Sequence, residues 1–477
     1  MRAADGRKGI LMAAFGGSYR EIDQPSYRSL TPNYWAAHLI LISAFAYILF
    51  EERFTVGVAT GGRGVLQPID LLIPLMGGLI LIGVGKIPGA RLLGSRPRGL
   101  FWLPYVVLTI AFPVLAVFLN SEPVRTLYTA IRGFAAISFI VFGAWGAFAG
   151  GSVRRLARSY AWVAIVVEFL FALIDYLNKT GIYPTAVGEF LMRWNVESEG
   201  ALGEFTFITW RCVGTYTNPN ELGLWSVVAF WISALLLQGM FRFTAIIAAL
   251  LTLILSQSRG SLFALLATSG IWLVYLALSR DARLKKARDA TYFSAICFVL
   301  TAGWLGAFLS QSDGVTISDR FSFIERFQRG LTVFIDGTSA EPNAQARVTA
   351  WQRALDFYYE HPLGTWSSAR LSFHSYIDNE YVKTLVQGSV IYLFALLVVI
   401  AFSCRRIVYP GMTPRVTAML ALTAAMNGIS AYPFSYPAIG VFWTILGYDL
   451  TSEWIRREAL AKQVGAYRLA PELVAVQ

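Results

Sequence analysis

The chain has 477 residues, of which 56% are hydrophobic and 14% charged, with a mean hydropathy of +0.54. Soluble proteins carry about 25% charged residues, so the composition excludes an ordinary soluble domain and marks a polytopic membrane protein. The net charge of +11 does not argue for nucleic-acid binding, because the basic residues lie in short clusters between apolar runs, the pattern of loops held in the cytoplasm.

A polar tail of mixed charge, 1–32, precedes the first apolar run, so no cleavable signal peptide is expected. A membrane span needs about 20 apolar residues. Candidate spans cover 33–50, 65–85, 99–119, 128–150, 157–178, 222–240, 243–257, 260–278, 292–309, 385–403, 416–431 and 433–450, which makes about twelve. The run at 243–257 is short, and "AYPFSYP" interrupts the last pair. Lys and Arg fall in alternate loops: Lys86 to Arg98, Arg154 to Arg158, Arg280 to Arg288, and Arg405, Arg406 and Arg415. The positive-inside rule puts these loops and both tails in the cytoplasm. The expected fold is therefore all-α: a multi-pass membrane protein with a large, mostly helical loop on the outer side. Its divisions are a tail 1–32, a bundle 33–178, an outer loop 179–221, central helices 222–309, the large loop 310–384, C-terminal helices 385–450 and a tail 451–477. Within the large loop, "DRFSFIERFQRGLTVFID" and "ARVTAWQRALDFYYEHP" carry apolar residues at helical spacing, and Pro362 stops the second helix. Helices of this kind, rich in Phe, Trp and Arg, lie at bilayer interfaces. Cys212, Cys297 and Cys404 fall outside, within and inside the membrane on this topology. No disulfide or cysteine metal site is expected.

On this topology the polar residues with chemical potential gather on the outer face. "RCVGTYTNPNELG" places Arg211, Asn218 and Asn220 before a span. Asn and Pro make a turn there, and Asn220 is a candidate cap for the next helix. Arg259, in "LILSQSRGSLFALL", occupies a tight turn between two spans. It reads either as a snorkelling arginine or as an anion site, since a guanidinium matches phosphate oxygens bidentately. Arg132 lies near the outer end of the fourth span. Arg347, His361, His374, Asp378 and Asn379 lie in the large loop. His361 reads best as a helix terminator. His374 is a candidate base or a surface residue. Asp378 reads as a helix cap or as a general base, a carboxylate able to accept a hydroxyl proton. No spacing suggests a metal site, and no nucleotide-binding loop appears, so no cofactor is expected.

"RCVGTYTNPNELG", "SQSRGSLFALLAT", "ARVTAWQRALDFYYEHPLG" and "DNEYVKTLVQGSVIYLFALL" occur in that order. Together they resemble the bacterial O-antigen ligase and O-antigen polymerase superfamily, over about 205–450. The resemblance implies an inner-membrane glycosyltransferase with a large helical periplasmic loop, which places 179–221 and 310–384 in the periplasm, and which moves glycans from a polyprenyl diphosphate carrier to an acceptor. By resemblance, Arg211 and Arg259 match arginines that hold the carrier diphosphate, and Arg347 opens the loop helix. Arg132, Asn218, Asn220, Asn379 and His361 are supporting candidates. Ligases generally carry His-Asn where this chain has Asp378-Asn379, so the polymerase branch is favoured. His374 stands one helical turn earlier and shares a face with Asp378 if the segment is helical.

The implied partners are a polyprenyl-diphosphate-linked oligosaccharide, a growing polysaccharide or lipid acceptor, membrane lipids and a chain-length regulator, with no nucleic acid. The alternatives are a ligase delivering glycan to lipid A core or protein, and a flippase or transporter of such lipids. Transporters often show repeated halves, and no repeat is visible. Glu168 and Asp175, inside the fifth span, keep the transport reading open.

Overall fold

The computed structural model describes residues 34–50, 72–77, 100–117, 123–149, 151–179, 211–216, 218–279, 342–366 and 377–474, with positions 80 and 186. The expected span at 292–309, most of that at 65–85, the helix expected at 319–336 and His374 lie outside the described residues, as do the N-terminal tail and most of both long loops.

Among the described residues all regular structure is helical. The helices are α1 (Tyr34–Phe50), α2 (Leu103–Ala116), α3 (Pro123–Ala149), α4 (Gly151–Lys179), α5 (Pro219–Leu236), α6 (Gly239–Ser256), α7 (Arg259–Leu278), α8 (Pro342–Glu360), α9 (Glu380–Cys404), α10 (Met412–Asn427) and α11 (Gly440–Val474). Among the described residues, five helical stretches are long and apolar enough to cross a bilayer: Val153–Lys179, Pro219–Leu236, Gly239–Ser256, Arg259–Leu278 and Glu380–Val408. Shorter apolar helices cover Ala37–Phe50, Leu103–Ala116 and Gly133–Ala149. The protein is an all-α, multi-pass membrane protein.

α5 forms the centre. Of its apolar window, 89% is buried inside the protein, and it packs against α6, α7 and α10. Trp225 and Trp231 are buried there, with Trp231 edge-on to Trp272 of α7. A helix that is hydrophobic all round is one enclosed by other helices. α7 and α9 instead present Val274, Ile391 and Phe394 outward, as lipid-facing helices do. α3 packs along α11 at backbone contact distance. A Cβ at Gly143 would collide with the Thr444 carbonyl, and one at Gly447 with the Ile140 carbonyl. Small residues at such a crossing let backbones approach within a membrane, where packing rather than hydrophobicity drives association.

α9 is not one continuous rod. Gly388 and Ser389 leave helical geometry, with Ser389 at φ +65°. The amides of Thr365 and Trp366 donate to the Val386 and Gln387 carbonyls at 2.9 and 2.7 Å, so the groups released by the break are satisfied within the protein. The segment after α8 thus clasps the first turns of α9. The apolar face of α8, with Trp351, Ala354 and Tyr358, packs against Ile377, Val382 and Val386. "AYPFSYP" forms two short 3-10 turns, Pro433–Ser435 and Pro437–Ile439, between α10 and α11.

At the other end of α9 and α10, Arg406 and Arg415 are buried. The Arg406 guanidinium pairs with Asp449 and with Glu453, the latter at 2.9 Å. Two cations that the sequence suggested as loop charges are therefore built into the interior, and their charge is a packing requirement there as much as an orientation signal.

Replacing Gly447 with valine should cost more than the roughly 1–3 kcal/mol typical of overpacking, because the obstacle is backbone. Thermal melting of the detergent-solubilised protein should show a lowered midpoint, whereas Gly270→Ala, at a position open on its surface, should leave it within a degree or two.

Candidate functional site

The start of α5, the turn between α6 and α7, the start of α9 and the end of α10 meet at one end of the bundle. Three of these helix ends are capped by residues of the sequence motifs. Asn218 caps α5 by accepting from the Asn220 amide at 2.8 Å, with Pro219 in the first helical position. The cap is thus Asn218, not Asn220, which is left for another task. Ser258 caps α7, accepting from the Ser261 amide at 3.4 Å. Asn379 caps α9, accepting from the Tyr381 and Val382 amides at 3.0 Å each. That function therefore belongs to Asn379, leaving Asp378 outside the helix.

Arg211 is half-buried against this end. Its Nη2 donates to Asn220 Oδ1 at 2.9 Å and its Nε to the Ser256 carbonyl at 3.3 Å. The guanidinium thus lies on the 256–258 turn that immediately precedes Arg259, the first residue of α7. The Cys212 amide donates to the Leu255 carbonyl at 3.1 Å, fixing the same approach through the backbone. The segment 211–216 has a second set of partners on α4. Glu168 accepts from the Thr215 amide at 3.0 Å and from the Thr215 hydroxyl. Asp175 accepts from the Val213 amide at 2.8 Å, and Lys179 donates to the Arg211 carbonyl at 2.7 Å. Gly214 sits at φ +59°, and a Cβ there would collide with the Glu168 carboxylate. Glycine meets both demands, the left-handed backbone and the close approach.

A buried chain of polar side chains leads away from Arg211. Ser258 Oγ lies 3.4 Å from Asn220 Oδ1 and 3.0 Å from Ser261 Oγ, with one hydroxyl proton to serve either acceptor. Asn427, 1% exposed at the end of α10, donates to Ser261 Oγ at 2.8 Å. The residues after Asn427 receive the start of α9. The Gly428 carbonyl accepts from the Glu380 amide at 2.8 Å, and the Ile429 carbonyl from the Asn379 carboxamide at 3.1 Å. Glu380 also accepts from the Phe434 amide at 3.0 Å, and Lys383 donates to Ser435 Oγ. The Arg211–Arg259 turn and the Asp378 end of α9 are therefore attached to the same 427–435 segment.

Asp378 pairs with Arg347 of α8 at 3.6 Å, the two side chains 36% and 40% exposed. Burial pushes the Asp378 carboxyl above the ordinary carboxylate range, and the Arg347 charge opposes that rise without cancelling it. An ion pair this exposed contributes roughly 0–1 kcal/mol, so it can open at little cost. His361 ends α8, stacked on Phe357 with its Nδ1 3.2 Å from the Phe357 carbonyl. It stands about 20 Å along the helix from Arg347 at 1.5 Å per residue, and its role is the terminating one. Arg132 belongs to α3, and its side chain lies outside the described residues, as does all of His374.

Sequence reasoning singled out neither Ser261 nor Asn427 nor Lys383. The signal for Asn427 was an amide side chain inside the apolar run "LALTAAMNGIS", where a polar group needs a partner.

What the ends of the helices define is a polar, arginine-bearing site at one end of a membrane-embedded bundle. Residues 244–388 match the O-antigen ligase family. The match covers 145 of the 477 residues. The match runs from within α6 through α7 and α8 to the first turns of α9, and so takes in two of the four motifs whole and the first half of the last; the Arg211 motif precedes it. A comparison with curated proteins gives no match.

Asn427→Leu should lower stability by about 1–3 kcal/mol, the cost of leaving a buried hydroxyl without its donor. Ser261→Ala in that background should then add little, since the pair forms one unit. Melting curves of the two single variants and the double variant measure the coupling.

Proposed function

We propose that the protein is a membrane glycosyltransferase that joins polyprenyl-diphosphate-linked oligosaccharides into O-antigen or exopolysaccharide chains at the periplasmic face of the inner membrane. The observation that carries this reading is the convergence of four sequence motifs on one end of the bundle: the Asn220–Ser258–Ser261–Asn427 chain joins the first two, the 428 and 429 carbonyls hold the last, and the Arg347–Asp378 pair brings in the third. The family match supports glycosyl transfer from a lipid-linked oligosaccharide.

The chemistry follows from the residues. The donor carries its sugar on a diphosphate, whose leaving ability rises when its developing negative charge is stabilised. Arg211 and Arg259 supply that charge where one face of the site is protein and the other lipid, with Asn218 and Asn220 fixing the turn between them. Charge-assisted hydrogen bonds contribute roughly 1.5–3 kcal/mol each, and every 1.4 kcal/mol or so is tenfold in rate. Asp378, as carboxylate, takes the proton from the acceptor hydroxyl. The acceptor oxygen then bonds to the anomeric carbon while the carbon–oxygen bond to phosphate breaks, and the polyprenyl diphosphate leaves with the bonding pair. Arg347 holds Asp378 ionised and is free to trade that weak pair for a phosphate oxygen. The raised carboxyl makes a stronger base than a surface aspartate. Asn379 fixes the Asp378 backbone to α9. His374 is the second candidate base.

Asp378 in place of the ligases' histidine favours polymerase over ligase. Transport remains the reading of another class. On it, Glu168 and Asp175 would line an ion path, but both accept backbone amides instead.

Arg211→Ala and Arg259→Ala should each lower polymer formation at least about 100-fold, from the loss of two charged contacts, while the protein still inserts. Wild-type polymer from both variants would exclude the clamp. Glycan analysis of a deletion strain separates the readings: single repeats still delivered indicate a polymerase, long chains stranded on the carrier a ligase, and repeats missing from the outer leaflet a flippase.

The pH dependence has a defined sign. Arg347 lowers the Asp378 pKa, so Arg347→Met should raise it further and move the acid limb of kcat to higher pH. Asp378→Asn should abolish that limb together with the activity. If it does not and His374→Ala does, the base is His374.

A further inference from the structure

Resting on the glycosyltransferase reading, we propose that Glu168, Asp175 and Lys179 of α4 are positioning residues for the diphosphate-binding Arg211, not groups that meet substrate or carry ions. Ionisable side chains within a membrane helix are expensive and mark function by default, and Glu168 and Asp175 are both fully buried. Both Glu168 oxygens and the Asp175 Oδ2 reach one segment, residues 213–215. Glu168 takes the amide and hydroxyl of Thr215, and Asp175 takes the amide of Val213 and pairs with Lys179 at 3.2 Å. Lys179, 3% exposed, in turn donates to the Arg211 carbonyl. The spacing is that of one helix face: 168, 175 and 179 lie seven and four residues apart. Between them they fix the backbone on both sides of Gly214, a left-handed position that an unsupported loop would leave freely.

The consequence is directional. The α4 side chains set the main chain of 211–215, while Ser256 and Asn220 set the guanidinium. With both ends fixed, Arg211 reaches the α6–α7 turn in one geometry before substrate arrives, which is the preorganisation that charge stabilisation of a leaving diphosphate requires. The Asp175–Lys179 pair adds hydrogen bonds at no net charge, so it holds the arginine without neutralising it.

The test uses full-length protein with Cys297→Ser and Cys404→Ser, so that the buried Cys212 is the sole thiol. Glu168→Gln and the charge-neutral double variant Asp175→Asn/Lys179→Met are assayed for transfer from a polyprenyl-diphosphate oligosaccharide and for Cys212 alkylation by N-ethylmaleimide. The double variant leaves no uncompensated buried charge and so guards against simple misfolding. Each variant should lose about 10-fold or more in kcat, as expected for one or two lost charge-assisted bonds, and should label at Cys212 at least about 10-fold faster than the parent. In an Arg211→Lys background the same changes should cost at most about 2-fold, because they act through the arginine. Full activity with unchanged protection overturns the proposal. Lost activity with Cys212 still protected also overturns it, since the carboxylates would then be acting on substrate or ions directly. A parent protein that transfers no glycan, combined with faster labelling in the variants, sinks the glycosyltransferase reading and leaves the positioning of Arg211 standing.

Discussion

A side-chain hydrogen bond between helices that are far apart in sequence organises this site. Asn427 closes α10 and reaches Ser261 in the first turn of α7, 166 positions away in the chain. Through Ser258 the same contact extends to Asn220 and Arg211, and through the next two carbonyls it extends to Asn379 and Glu380. It ties the arginine turn and the aspartate end of α9 to one segment, alongside the packing of α5, α7 and α9 against α10. In a bilayer, helices gain little from burying one another's apolar faces, because lipid tails are as apolar as leucine. Register between spans then depends on packing and on contacts of this kind.

Charge is distributed by the same logic. Three buried carboxylates at the site end accept backbone amides: Glu168 from Thr215, Asp175 from Val213 and Glu380 from Phe434. At the opposite end Arg406 is absorbed by Asp449 and Glu453. Arg211 lies before α5, Arg259 opens α7, and the half-exposed Arg347–Asp378 pair stands between α8 and the start of α9. On the proposed reading, a diphosphate would meet Arg211 and Arg259, with Asp378 beside Arg347 as the base.

Much of this was legible in the sequence where local chemistry decides. The turn at 211–223 showed in its Asn and Pro, α8 in its apolar spacing, and the membrane character in composition. The two caps displaced by a residue or two, Asn218 for Asn220 and Asn379 for Asp378, mark the limit of that reading, since neighbouring Asn and Asp are nearly equal as caps and only tertiary contacts choose between them. Glu168 and Asp175 looked like transport groups because nothing local reveals that their partners lie some 40 residues downstream. Ser261 and Asn427 were invisible for the same reason. The break in α9 had only "QGS" within an apolar run to announce it, and such a signal is shared by unbroken helices.

The most direct test of the central claim is a structure determined with a non-transferable polyprenyl-diphosphate oligosaccharide bound. The account predicts the diphosphate between the Arg211 and Arg259 guanidinium groups, with the first sugar directed to Asp378. Diphosphate bound at a different end of the bundle, or out of reach of both arginines, would contradict it.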